Sequence, residues 1–280
     1  MKYFLSGLFA VLLSCMAMAQ DAVQVTVPKA DAAPAVPTVQ EEKKFEINLT
    51  SEVSLYDFSD GSITGLDTEL TFDVSDKIKL GFALPIYNNS NDYFDPQNLA
   101  WLLNKGLYGK NGTGLSDLDI FTTVSLIDGK CEYLKTDKAW LDFTGGIKVP
   151  LDGTYSSDDY VPHLGLDVGA KWGTVSLSYG FAYQIVNDYT FSPVLGGFVD
   201  GDIFESNAIL AYDFTDDISV YLKGTQYNWD GESMFLLGPG FDYKFSNNVS
   251  FSGEIAIPTT NDNSNGELDI VLSTGIGFEF

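Results

Sequence analysis

Arginine is absent from this chain. The fifteen basic residues are all lysines, against 39 acids, for a formal charge of −24. So acidic a chain excludes nucleic-acid binding. Without the guanidinium fork that grips phosphates and carboxylates, a strongly anion-selecting site is also disfavoured. Cysteine is nearly missing, with Cys15 and Cys131 the only two. Cys15 falls in a leader segment, so no intrachain disulfide is expected and the fold must hold without one. Histidine occurs once, at His163, and its same-face strand neighbours are Val161 and Gly165. No hydroxyl nucleophile stands two residues away, and a triad needs its base within hydrogen-bond reach, so an enzyme is not expected. Acidic loop residues Asp158, Asp159, Asp200 and Asp202 lack the spaced pattern of a calcium loop, so no metal or other cofactor is expected. Long apolar runs are missing too. Beyond the first twenty residues they reach only a handful, as from Phe82 to Ile86, whereas a membrane helix needs about 20.

What the chain has in quantity is glycine (27), phenylalanine (20) and tyrosine (15), a mixture suited to strands and tight turns. Residues 1–19 read as a cleavable signal peptide: Lys2, an apolar core from Tyr3 to Leu13, and Ala17-Met18-Ala19 as the cleavage site. A lipoprotein box ending at Cys15 is the rival reading, with Leu13 bulky for its slot. Residues 20–42, rich in Ala, Val and Pro, read as a flexible periplasmic segment. Residues 43–280 then follow a period of two.

That period carries the fold class. Leu66, Leu70, Phe72 and Val74 alternate with Asp67, Glu69, Thr71 and Asp73. Val175, Leu177, Tyr179, Phe181, Tyr183 and Ile185 alternate with Ser176, Ser178, Gly180, Ala182 and Gln184. One face is bulky and apolar, the other small or polar, which is the inverted pattern of a barrel in lipid. The expectation is a transmembrane antiparallel up-and-down β-barrel of about twelve strands. The strands are placed at 44–58, 63–74, 78–88, 115–127, 139–149, 162–172, 175–186, 203–214, 218–227, 233–245, 249–258 and 268–280. With the N-terminus in the periplasm, four of the five periplasmic joins have two or three residues and the fifth is 128–138. Four outward joins, 89–114, 150–161, 187–202 and 259–267, are long. Tyr212, Phe214, Tyr243, Phe245, Phe278, Phe280 and Trp172 form an aromatic girdle at the periplasmic rim. Tyr56, Phe58, Tyr87 and Tyr227 would join an outer girdle only if a bulge shifted their register.

The C-terminal run Thr274-Gly275-Ile276-Gly277-Phe278-Glu279-Phe280 resembles the β-signal of bacterial outer-membrane proteins. The resemblance implies recognition by the barrel-assembly machinery, an edge strand pairing with the machine before closure. Three further segments, Gly114-Leu115-Ser116-Asp117-Leu118, Gly145 to Pro150 and His163 to Gly169, resemble the meta-pathway phenol-degradation transporter-like outer-membrane family. That resemblance covers about a quarter of the chain and implies an uptake channel for small, often hydrophobic compounds.

The period places Glu52, Glu69, Asp119, Asp167 and Glu254 near mid-lumen, with Lys223 as the counter-charge. Aromatics inside are scattered at Phe121, Trp140 and Tyr221. A helix is expected in 89–114, capped by Asp95 and ended by Gly106. Two functions follow. One is passive passage of small solutes through a cation-favouring lumen. The other is a structural or surface barrel with a plugged lumen. Expected partners are outer-membrane lipid and lipopolysaccharide, the assembly machinery and small solutes, with the termini in the periplasm.

Overall fold

The computed structural model describes residues 46–59, 61–89, 112–262 and 267–280. The expected signal peptide, the Ala/Pro-rich segment and the helix expected after Asp95 lie outside the described residues. The strands are β1 (Ile47–Phe58), β2 (Gly61–Ser75), β3 (Ile78–Asn89), β4 (Gly112–Leu115), β5 (Leu118–Cys131), β6 (Thr136–Val149), β7 (Val161–Trp172) and β8 (Val175–Gln184). They continue with β9 (Thr190–Ser192), β10 (Gly197–Val199), β11 (Ile203–Asp213), β12 (Ile218–Trp229), β13 (Glu232–Ser246), β14 (Val249–Asp262) and β15 (Leu268–Glu279).

The main sheet has thirteen strands, of which β4 and β5 both pair with β3 and form one stave, so the wall has twelve. All pairings are antiparallel, and β1 closes against β15 from Asn48↔Glu279 to Phe58↔Leu268. Closure leaves no unpaired edge, the condition for an all-strand structure without backbone donors stranded in lipid. The short strands β9 and β10 pair only with each other, in the connection between β8 and β11.

Side chains alternate as the period requires. Leu210 is 54% exposed and Ile255 49% exposed, both on the outer surface, which carries a belt of large apolar residues. At the turn end, Tyr212 packs with Phe214 at 5.0 Å and Tyr243 with Phe245 at 4.6 Å, edge to face. Phe280 is 69% exposed at the same rim. These are the girdle residues read from the sequence.

Three features differ from expectation. The join read as 128–138 shrinks to Glu132–Lys135, because β5 and β6 continue to Cys131 and from Thr136. Every turn at that rim is therefore short. The stave expected as an unbroken 115–127 is interrupted at Ser116–Asp117, both buried. Asp269, which strict alternation from Val271 and Ser273 would turn inward, is bulged out and exposed, because the register skips it between Asp57 and Phe58, and Leu268 takes the buried place.

Candidate functional site

The lumen wall is thin where rings lie flat on it. Tyr87 lies on Gly65, Phe121 on Gly81, His163 on Gly146, Trp140 on Gly169 and Tyr221 on Gly240, each glycine directly opposite its ring on the next strand. A Cβ would come within 2.1 Å of the ring at Gly81 and Gly169, and within 2.2 Å at Gly240. A larger residue there would lift the ring into the bore. The sequence shows the glycines and the rings separately; only the strand register pairs them.

The long-loop end is closed over by two inward connections. Residues 150–160 turn onto the broken stave. Tyr155 is fully buried; its N–H donates to the Leu115 carbonyl at 3.0 Å and its hydroxyl to the Gly112 carbonyl at 2.5 Å. Burial raises the Tyr155 phenol above its ordinary value, which keeps it a neutral donor. Asp117, buried at the break, accepts from the Ser156 hydroxyl at 2.7 Å, the Ser157 N–H at 2.9 Å and the Ser157 hydroxyl at 2.5 Å. A break in the stave thus turns one carboxylate into an anchor for a loop. Ser157 is in turn hydrogen-bonded to Thr190 at 2.9 Å, which ties that loop to the β9–β10 hairpin.

The hairpin folds into the barrel mouth. Phe191 stacks obliquely on Tyr155 at 4.6 Å and on Tyr87 at 5.1 Å, and Phe198 meets Phe191 edge-on at 5.2 Å. Leu195, at its tip, is fully buried in a cluster that joins the hairpin to Phe58, Ile63, Trp229, Met234 and Leu236 of the wall. Asp202 fixes the hairpin's exit, accepting from the Val186 N–H at 2.9 Å and from the Tyr183 hydroxyl. The sequence suggested a plain loop here, and it marked Tyr56, Phe58, Tyr87 and Tyr227 as girdle candidates. No register shift precedes Asp57, and all four turn inward, Phe58 and Tyr87 buried and the other two packed against the cluster. The upper lumen is aromatic rather than scattered with a few rings.

Below the hairpin lies a cavity of about 190 Å³. Glu52, Lys223 and Glu254 all line it, together with Tyr56, Tyr221, Tyr227 and the hairpin's Val194. Lys223 donates to Glu254 at 3.2 Å, and the Tyr221 hydroxyl donates to the same oxygen at 3.2 Å. Glu52 accepts from the Ser54 hydroxyl at 2.9 Å. The other mid-lumen residues stand elsewhere on the wall. Glu69 and Asp119 are level with each other on either side of Ala83, and Asp119 meets His163 Nε2 at 2.7 Å. Asp167 accepts from the Trp140 indole at 2.5 Å, with Asp142 opposite on β6. Lys148 faces Asp119 directly across β5 and β6, so Lys223 is not the lone cation at this depth. Two further acids of the inward face stand near this depth: Asp67, which accepts from the Tyr87 hydroxyl at 3.3 Å, and Glu205, opposite Tyr227. Nearer the turns, Lys79 pairs with Asp73 at 3.8 Å and Lys171 with Asp213, as a salt-bridge layer. At the C-terminus Thr274 and Phe280 are exposed and Gly275 is buried, with Phe278 beside Phe280 at 6.4 Å.

No protein-family model and no curated protein sequence matches the chain. Solved structures do match its fold. An outer-membrane channel from Pseudomonas putida F1 aligns with a TM-score of 0.56 at 14% identity, covering 90% of this chain and 100% of that one. The NanC porin aligns with a TM-score of 0.55 at 8% identity, covering 82% of this chain and 98% of that one. The chain therefore shares the closed-barrel architecture of these two proteins.

Proposed function

We propose that this protein is an outer-membrane channel through which small solutes pass passively, with a cation-favouring lumen narrowed by the β9–β10 hairpin. The observation that carries this reading is a closed barrel, apolar outside and charged inside, that still encloses a cavity of about 190 Å³. A belt of large exposed apolar side chains is stable only against lipid. Lipid and lipopolysaccharide are then its surroundings, and the barrel-assembly machinery its partner during insertion. The inward carboxylates Glu52, Asp67, Glu69, Asp119, Asp167, Glu205 and Glu254 outnumber Lys148 and Lys223. In a water-filled bore with low-dielectric walls, such an excess concentrates cations and repels anions.

A second reading, a plugged structural barrel, is favoured by the complete burial of Leu195 and Tyr155 at the mouth. Planar-bilayer recording separates the two. The protein should conduct, with a cation-selective reversal potential in a KCl gradient that weakens toward roughly 1 M salt, where screening falls to about 3 Å. Replacing residues 190–199 by a short glycine linker should raise the conductance. An anion-selective potential would overturn the lumen assignment, and silence from both proteins would establish the plugged barrel.

A further inference from the structure

We propose that the chamber beneath the hairpin tip binds a small organic cation with a compact, single-ring apolar body; the assignment deepens the passage reading and rests on it. The chamber measures about 190 Å³. An apolar protein cavity of about 150 Å³ accepts benzene, so one ring with a short aminoalkyl arm fits this size. The space exists because Ser252 and Ser273 keep that stretch of wall low, and because Gly240 lets Tyr221 lie flat.

The lining selects the charge. Tyr56, Tyr221 and Tyr227 line the chamber, and aromatic rings attract a cation and tolerate an apolar body. Lys223 is occupied by Glu254 at 3.2 Å. Glu52 has no cationic partner among the described residues and holds only the Ser54 hydroxyl, at 2.9 Å. An anion would have to draw Lys223 away from Glu254. A neutral apolar solute would strip water from the Glu52 carboxylate and return nothing to it. An ammonium group beside Glu52 supplies the missing charge while its ring sits under Val194.

Calorimetric titration of the detergent-folded barrel tests this with three probes of one shape: benzylammonium, benzyl alcohol and benzoate. Benzylammonium should show one saturable site, with the other two weaker by about tenfold or more, the size of one charge-assisted contact. Added KCl should weaken benzylammonium and leave benzyl alcohol unchanged. Glu52→Gln, which keeps a partner for Ser54, should weaken benzylammonium about tenfold and spare benzyl alcohol. Heat-modifiable migration confirms that the variant has folded, and the salt series on the wild-type protein decides the matter without it. Equal affinity for the three probes, no saturable binding, or salt-independent binding of benzylammonium would overturn the site. Selective binding to a barrel that is silent in bilayers supports the site and defeats the passage reading; conduction without binding does the reverse.

Discussion

Asp117 holds two connections at once, and its removal should show at both. Asp117→Ala deletes the acceptor for the Ser156 and Ser157 hydroxyls and for the Ser157 N–H. Leaving such buried donors unpaired costs about 1–3 kcal/mol. The variant should unfold at lower temperature and give a larger, noisier single-channel current; a variant unchanged in both measurements would remove the anchor role. Charge in the bore makes a second test. Glu254→Gln leaves Lys223 without its partner, so it should shift the reversal potential toward anions more than Glu69→Gln does, and Lys223→Gln should shift it the other way. Bi-ionic recordings of the three variants rank them, and a reversed order would show that Glu254 does not face the conducting path. Glu52, Glu69, Asp119, Asp167, Lys223 and Glu254 were readable from alternation, since parity alone sends a strand residue inward. Asp117 was not, because its role arises from a stave broken by a loop docked from forty residues away in sequence.

Among the elements, β15 carries the assembly reading. Its outward Phe278 and terminal Phe280 lie in the turn-end girdle, where the Ile47 N–H bonds the Phe280 carbonyl at 3.2 Å. Phe278→Asp, or deletion of Phe280, should reduce insertion, because a charge on the lipid face is unfavourable even near the interface and, on the proposed assembly route, the final strand is the one that pairs with the machinery. Normal yields of heat-modifiable barrel in the membrane fraction for both variants would defeat this. The long strands were legible because each carries one apolar and one polar stripe. The β9–β10 hairpin was not. Its Tyr189, Phe191, Val194, Leu195 and Phe198 show no sustained alternation, and nothing local says that they will meet Tyr87 and Met234.

For the whole molecule, the asymmetry of connections supports an orientation. Short turns at one rim and longer connections at the other are the basis for proposing that the termini lie in the periplasm. In a Cys131→Ser background, a membrane-impermeant maleimide on intact cells should label Asp158→Cys and spare Asp216→Cys and Asn247→Cys, three positions exposed in the folded barrel. Labelling of the last two with sparing of Asp158→Cys would invert the topology.

The sequence by itself determined the all-β class, twelve staves, the rims and the parity of nearly every wall residue, because in an antiparallel barrel these depend on neighbours along the chain and on the period of two. Tertiary structure alone decided how open the barrel is. That depends on where the hairpin docks, on which ring meets which glycine across strands, and on which lysine a carboxylate finds. Each is a contact between residues distant in sequence, fixed by register and packing rather than by any local pattern.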